Sequence, residues 1–371
     1  MTKHTYFKNL DGLRFLSFLS VFFYHRFYTT SNEIKTSKIY HFVKIDLFGN
    51  GNLGVNFFFV LSGFLITFLL IEEKNNYGQI DIKKFWVRRV LRIWPLFYFM
   101  VFFGFIIFPW IKNFFGLVST ETASPLYYVT FLNNFDFINK GLPDASSLGV
   151  LWSIAIEEQF YLFWPLIIFI FPVKKLWIPF LIITISSLVF RAMNDSSLTH
   201  EVHTMSCIGD MTTGALGAWL IGYSIKFKNY IERLKRFQIL LIYVLFGFIY
   251  LFRDNFLFLN YGVRIFERMF IAIVIIHIIL EQSFSINSLF KISNFKRISD
   301  FGKITYGLYC LHFIGILITI TITNYFNMNK NLFEIIFLTT PLALLFSILI
   351  SKVSYIYYET PFLKLKEKYT P

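Results

Sequence analysis

The sequence predicts an all-α membrane protein, a polytopic helical bundle of about ten transmembrane helices. Hydrophobic residues make up 56% of its 371 residues and charged residues only 15%, whereas soluble proteins carry about 25% charged residues. Apolar runs of about 20 residues, the length that crosses a bilayer as a helix, recur from one end of the chain to the other. Because these runs are continuous and not alternating, they exclude a transmembrane β-barrel.

Each predicted helix corresponds to one apolar run, taken in order along the chain. The predicted helices cover residues 10–29, 52–71, 93–111, 148–171, 175–191, 208–225, 238–252, 262–281, 302–323 and 333–356. Pro95, Pro165 and Pro179 fall within or near helix ends, where membrane bundles tolerate proline. The chain contains no Pro/Gly/Ser-rich linker and no obvious internal repeat, so we expect a single membrane domain over residues 1–371.

Basic residues in the loops set the expected orientation, because cytoplasmic loops carry an excess of lysine and arginine. Most of them follow every second predicted helix, in clusters at 74–92, 174–175, 226–236, 291–297 and 364–368. Both termini are therefore expected to be cytoplasmic. This orientation requires segment 113–147 to stay outside. Its apolar stretch "PLYYVTFLNNFDFI" has about 14 residues, too few to span, and is expected to be interfacial or re-entrant.

The net charge of +13 has a different meaning here from the one it would have in a soluble protein. In a soluble chain it would suggest nucleic acid, but in a membrane protein it indicates basic cytoplasmic loops, so no nucleic-acid partner is expected. Cys207 and Cys310 lie at the edge of or within apolar segments and suggest no disulfide framework. No metal site is expected.

The first predicted helix places an arginine and a histidine in one apolar run, "LDGLRFLSFLSVFFYHRF". Arg14 and His25 are eleven positions apart, which at about 100° per residue puts both side chains on one helix face, about 16 Å apart along the axis. Arg14 would lie near the cytoplasmic boundary and His25 in the outer half. Alternatively, Arg14 snorkels to lipid headgroups and His25 caps a helix end or lies in the outer interface.

The third helix is preceded by the basic stretch "KKFWVRRVLRIWP". Arg89 and Arg92 are three positions apart and therefore lie on the same side of a helical turn. Guanidinium groups bind phosphates in a bidentate manner, so the pair is a candidate phosphate site. A topology anchor or a lipid-headgroup site is the alternative.

The fourth helix, "LWSIAIEEQFYLFWPL", carries Glu157 and Glu158 near mid-membrane. Carboxylates inside a membrane are costly and are candidates for function, and Ser153 lies one turn before Glu157 on the same face. The two glutamates point about 100° apart, so one is expected to face a cavity and the other a partner helix. The alternative is a structural ion pair with a basic residue elsewhere.

Taken together, the motifs of these helices resemble those of the acyltransferase-3 family of integral membrane acyltransferases. This family includes sugar O-acetyltransferases that modify bacterial surface polysaccharides. "DGLRFLSFLSVFFYH" resembles the family's arginine, ten residues, histidine pattern and assigns Arg14 and His25. "GVNFFFVLSG" resembles its second-helix motif, and "RIWP" follows its paired arginines. "WSIAIEEQFYLFWP" assigns Ser153 and Glu157. "YGLYCLHF" assigns His312, and "YYETPF" assigns Glu359.

The resemblance implies a multi-pass protein of the bacterial inner membrane, with acyl-CoA as a cytoplasmic co-substrate and an acceptor presented at the outer face. Some members carry a fused SGNH-type domain at the C-terminus. We expect this chain to lack one, and to work alone or with a separate periplasmic partner.

The expected function is O-acyl transfer, with acetyl as the expected group, from cytoplasmic acetyl-CoA to a hydroxyl of a surface polysaccharide or lipid-linked glycan. His25 is expected to act as general base, or as a nucleophile that forms an acyl-imidazole. Arg14, Arg89 and Arg92 would hold the CoA phosphates. Glu157 would orient His25 or pair with an arginine.

The residues expected to contact substrate are Ser153, Trp152, Tyr161 and His312.

Two rival interpretations of the function remain at this point. The chain could be a transporter or exporter of a glycan or anion, because such proteins also carry intramembrane charges. It could also be a non-catalytic component of polysaccharide export. The sequence leaves the acceptor sugar and the choice between acetyl and succinyl open.

Overall fold

The computed structural model describes residues 6–27, 29, 31–256 and 260–369. All regular secondary structure within these residues is helical, so the predicted all-α class is confirmed. The ten long helices are α1 (Lys8–Arg26), α2 (Leu53–Tyr77), α3 (Ile82–Phe114), α4 (Leu151–Ile170), α5 (Trp177–Met193), α6 (Thr204–Tyr223), α7 (Arg236–Phe256), α8 (Tyr261–Phe284), α9 (Thr305–Tyr325) and α10 (Glu334–Glu367).

Seven of these helices are long and apolar enough to cross a membrane by themselves, namely α2, α3, α4, α5, α7, α9 and α10. The other long helices of the described residues, α1, α6 and α8, pack among them. The polytopic helical bundle is therefore confirmed, with one long helix at each of the ten predicted positions. The side of the membrane on which each terminus lies stays a prediction.

The prediction placed the start of α3 too late. The helix begins at Ile82 and not at residue 93, because Asp81 caps it: the Asp81 carboxylate accepts a hydrogen bond from the Lys84 backbone N–H at 2.9 Å. That hydrogen bond lowers the pKa of Asp81 below its usual value. The basic run is thus helical, and Arg89 and Arg92 lie on the regular part of α3.

α2 and α6 cross in direct backbone contact. A Cβ added to Gly63 would lie 1.9 Å from the carbonyl oxygen of Met211, and one added to Gly214 would lie 2.0 Å from the carbonyl oxygen of Val60. Small residues let membrane helices approach this closely. The crossing fixes the position of α2, which carries part of the site described below.

A short helix, Lys296–Lys303, connects α8 to α9 and packs against α1. A Cβ added to Gly302 would lie 2.1 Å from the carbonyl oxygen of Asp11. This close approach places Lys303 and the first turn of α9 beside the N-terminal half of α1, which carries Arg14.

The segment between α3 and α4 forms three short helices, Pro125–Val129, Asn133–Lys140 and Ser146–Gly149, and none of them is long enough to span by itself. Their lengths are consistent with an interfacial or re-entrant segment, and its position relative to the membrane stays a prediction. Gln159 of α4 holds the segment in place: its amide donates to the carbonyl of Phe131 at 2.7 Å and to Oδ1 of Asn134 at 3.0 Å.

A buried ion-pair network joins α5, α6, α7 and α8 through three arginines and three carboxylates. Its members are Arg191, Arg253, Arg268, Glu201, Asp210 and Glu267. Nη2 of Arg268 lies 2.6 Å from Oδ2 of Asp210, and Arg253 pairs with both Glu201 and Glu267. The formal charges of the six side chains cancel, which is how charged groups are tolerated at this depth.

Candidate active site

A cavity of about 130 Å³ opens between α1, α2, α3, α4 and the start of α9. Its polar lining consists of Arg14, Ser62, Arg89, Arg92, Ser153, Glu157, Tyr161, Lys303, Thr305, Tyr306 and Tyr309. The structure therefore brings together six of the residues that the sequence singled out, although they come from three different helices.

Three arginines of this lining, which we name the cavity arginines, are Arg14, Arg89 and Arg92. Arg14 donates to Oδ1 of Asp11 at 2.7 Å. The Arg89 guanidinium lies over the ring of Tyr161, 5.6 Å from its centroid, and its buried Nε has no hydrogen-bond partner in the described part of the chain. Arg89 and Arg92 form no ion pair with any described residue. Their donors remain available for an anionic ligand.

Arg88, the immediate neighbour of Arg89, has a different environment. Its Nη2 lies 3.3 Å from Oε2 of Glu73, and its Nη1 donates to the carbonyl of Tyr369 at 2.8 Å. Arg88 lies one position off the helix face that Arg89 and Arg92 share, and its protein partners lie outside the cavity.

Glu157 belongs to a compact hydrogen-bonded triangle. Its carboxylate accepts from Ser62 at 2.8 Å and from the hydroxyl of Tyr161 at 3.1 Å, and the two hydroxyl oxygens lie 2.9 Å apart. Glu158 points away and accepts from Nε1 of Trp94 at 2.7 Å. The adjacent carboxylates thus diverge as expected, with Glu157 on the cavity side.

Ser153 pairs with Tyr309 and not with Glu157: the two hydroxyl oxygens of Ser153 and Tyr309 lie 2.6 Å apart. Tyr309 belongs to α9, so this contact joins α4 to α9. Trp152 does not line the cavity; its indole packs edge-on against Phe59, with ring centroids 6.1 Å apart.

His25 and His312 are brought into contact across α1 and α9. Nδ1 of His25 lies 3.2 Å from Nε2 of His312, and the two rings meet edge to edge in nearly parallel planes, with centroids 5.4 Å apart and an interplanar angle of 17°. Nδ1 of His312 in turn lies 2.8 Å from the carbonyl oxygen of Tyr309. His312 is completely buried, whereas His25 is half-buried.

Neither imidazole lines the cavity itself; Tyr309 does, one helical turn before His312. A series of polar contacts therefore runs from the Tyr309 backbone carbonyl through His312 to His25, and the Tyr309 hydroxyl separately contacts Ser153. The structure does not bring Glu157 to His25, because its hydrogen bonds go to Ser62 and Tyr161.

Two residues of this site, Ser62 and Tyr309, escaped the sequence analysis. Both lie inside motifs that it quoted, "GVNFFFVLSG" and "YGLYCLHF". Ser62 is adjacent to Gly63, and small residues in a membrane helix indicate close helix packing before any chemistry. The sequence signal that could have identified Tyr309 is its hydroxyl group, which lies one helical turn before His312.

Comparison with known proteins identifies the family of the chain. The family model described as an acyltransferase domain, Acyl_transf_3, matches residues 7–352. The chain belongs to the acyltransferase-3 family. Membership of this family favours the enzyme over the exporter interpretations.

Among the relatives, the peptidoglycan O-acetyltransferase OatA of Listeria monocytogenes is 35% identical over 176 residues, which cover 45% of this acyltransferase and 25% of OatA. YrhL of Bacillus subtilis, provisionally named a peptidoglycan O-acetyltransferase, is 35% identical over 173 residues, 44% of this chain and 24% of YrhL. The alignments thus span about a quarter of these relatives. No solved structure matches the chain significantly.

Proposed function

We propose that this acyltransferase is an O-acetyltransferase of the bacterial inner membrane that moves an acetyl group from cytoplasmic acetyl-CoA to a hydroxyl of a cell-envelope carbohydrate. The observation that carries the proposal is the cavity. It is lined by two arginines that form no ion pair within the described residues, and the His25–His312 pair lies one helical turn beyond its Tyr309 wall. The names of OatA and YrhL support peptidoglycan as the acceptor. A lipid-linked glycan is the second candidate.

The donor would enter at the cavity arginines. CoA carries a pyrophosphate and a ribose phosphate, and guanidinium groups bind such anions through charge-assisted hydrogen bonds. Arg89 and Arg92 present donors that no carboxylate of the described residues occupies. Arg14 and Lys303 extend the positive lining, although each also contacts an aspartate.

The reaction would take place at His25. The acceptor hydroxyl oxygen attacks the thioester carbonyl carbon and forms the new C–O bond while His25 takes the hydroxyl proton. The tetrahedral intermediate then breaks its C–S bond, and the protonated imidazole returns the proton to the leaving sulfur. The products are the acetyl ester and the free CoA thiol. General-base catalysis of this kind contributes about 10²–10⁴-fold.

Glu157 would act as a positioning residue. Its hydrogen bond holds Tyr161, whose ring lies under the Arg89 guanidinium. Ser62 closes the same triangle from α2. We therefore assign Glu157 to the organisation of the donor site and not to the orientation of His25.

Residues 1–371 are proposed to form one membrane domain. The acetylated product would form on the membrane domain itself or pass to a separate periplasmic partner. Both routes begin with the same transfer from acetyl-CoA, so the test below addresses their common step.

The test is transfer of radiolabelled acetyl from acetyl-CoA by the purified protein in nanodiscs, with soluble peptidoglycan fragments and a lipid-linked glycan offered in parallel. We expect label on one acceptor, and a fall of at least about 10²-fold for His25→Ala at unchanged protein abundance. If His25→Ala transfers acetyl at the wild-type rate, His25 is not the general base. Passage of the glycan across a proteoliposome membrane without labelling would instead support an exporter.

A further inference from the structure

The second histidine of the site, His312, has a hydrogen-bonding arrangement that determines which nitrogen of His25 is free. A neutral imidazole has one N–H donor and one lone-pair acceptor, and the partner of one nitrogen fixes the role of the other. The donor or acceptor role of each ring nitrogen can therefore be assigned in turn, starting from the backbone carbonyl that His312 contacts.

The series starts at the Tyr309 carbonyl oxygen, which can only accept. Nδ1 of His312, 2.8 Å away, must carry a proton and donate it to that oxygen. Nε2 of His312 is then an acceptor. It lies 3.2 Å from Nδ1 of His25, so that nitrogen must be the donor. Nε2 of His25 is left with a free lone pair.

The packing keeps the His312 ring in this orientation. Phe18 and Phe22 of α1 meet its edge, with ring centroids 5.9 Å and 6.5 Å away, and Phe313 lies against it at 4.6 Å. The ring is completely buried, and within the described residues its nitrogens contact the backbone carbonyls of Tyr309 and Leu308 and the ring of His25. Burial without an acidic partner favours the neutral imidazole that the preceding step requires.

We infer that His312 is a positioning residue that holds His25 in its Nδ1–H tautomer, so that Nε2 of His25 is the atom that takes the acceptor's proton. This inference rests on the proposed function of His25 as general base. It replaces the expectation that His312 contacts substrate, because the His312 ring nitrogens already have partners inside the protein.

The hydrogen bond from Nδ1 of His25 to Nε2 of His312 also stabilises the charge that forms during the reaction. When Nε2 takes a proton, the imidazolium of His25 keeps donating from Nδ1 to the lone pair of His312. The positive charge is thus stabilised without moving the ring. Loss of the group that orients a catalytic imidazole, with the wrong tautomer as the result, costs up to about 10⁴-fold in kcat in a serine-protease triad.

The test compares three substitutions of His312. His312→Phe keeps the ring shape but has no acceptor. In His312→Gln the amide oxygen can reach the position of Nε2 and accept from His25. His312→Asn carries the same amide one bond shorter, at the position of Nδ1. The matched control is His277→Phe, because Nδ1 of His277 also contacts a backbone carbonyl, that of Ile273, at 2.7 Å in a helix away from the site.

We expect His312→Phe and His312→Asn to lower kcat by about 10²–10⁴-fold with little change in KM for acetyl-CoA. His312→Gln should recover at least about tenfold over His312→Asn, since it restores the hydrogen bond. His277→Phe should keep wild-type kcat. Ring ¹⁵N spectra of the wild type, assigned by difference from His25→Ala, should show Nδ1 of His25 protonated.

The outcomes separate this inference from the proposed function. Wild-type kcat in His312→Phe together with an inactive His25→Ala would overturn the positioning role and leave the base in place. Wild-type activity in His25→Ala would refute both the general-base role of His25 and the positioning role of His312. If His312→Phe does not fold, the ratio of Gln to Asn activity decides, and equal kcat values would overturn the inference. A spectrum with His25 protonated at Nε2 would also overturn it.

Discussion

The cavity arginines and the arginines of the ion-pair network are the same residue type in the same bundle, yet they differ in their partners. Every arginine of the network faces at least one carboxylate within ion-pair distance. Within the described residues, Arg89 and Arg92 of the cavity face none. Arg14 is intermediate, with Asp11 as its partner.

The difference shows how a membrane protein uses charge in two ways. A charge with a protein partner joins helices and adds no capacity for a ligand. A charge without one costs folding energy, which an arriving anion can offset. Arg88 supports this interpretation on a single helix, because it lies next to Arg89 and has Glu73 as its partner.

The largest expected effect lies in the network. Asp210→Ala leaves Arg268 without its closest partner, and removing one member of a buried pair costs about 3–5 kcal/mol. We expect a lower midpoint of thermal unfolding in detergent and reduced abundance in the membrane. The double variant Asp210→Ala with Arg268→Leu should regain part of the loss. A single variant as stable as the wild type would show that the network does not hold the helices.

A smaller effect, on binding and not on folding, is expected in the cavity. Arg92→Gln removes charge-assisted hydrogen bonds to phosphate worth about 1.5–3 kcal/mol, so KM for acetyl-CoA should rise about 10–100-fold at an unchanged unfolding midpoint.

The matched control for Arg92→Gln is Arg88→Gln, which removes the contact with Glu73 and should leave KM unchanged. Free CoA at about 100 times its Kd should stabilise the wild type by about 2.7 kcal/mol, and Arg92→Gln much less at the same concentration. A drop in abundance with an unchanged KM would identify Arg92 as a topology anchor.

The smallest effect concerns the cap that starts the helix carrying the cavity arginines. Asp81→Ala should cost about 1 kcal/mol at neutral pH. Because the Lys84 backbone N–H lowers the pKa of Asp81 in the folded state, the carboxylate contributes stability above its unfolded pKa. That contribution is lost as pH falls through the folded value. As pH falls through the folded pKa of Asp81, the unfolding midpoints of the wild type and Asp81→Ala should therefore approach each other; a difference that stays constant over this titration would contradict the cap's role.

The sequence predicted the ten helices and the arginines of the site because both leave local signals. Apolar runs mark the helices, and short spacings such as that between Arg89 and Arg92 mark a shared face. Contacts between distant elements left no such signal: His25 and His312 are 287 positions apart, so the sequence named both residues without joining them. The partners of Asp210 and the exclusion of Trp152 from the cavity also depend on how separate helices are rotated against each other.

The crossing of α2 and α6 has one further consequence. Gly63 sits in backbone contact with α6, and its neighbour Ser62 closes the hydrogen-bonded triangle around Glu157. A methyl group added at position 63 would collide with main-chain atoms, which cannot rotate aside as a side chain can. A mutation at a residue that does not itself line the cavity would thus displace a hydroxyl of the donor pocket, with no change in any group that takes part in the reaction.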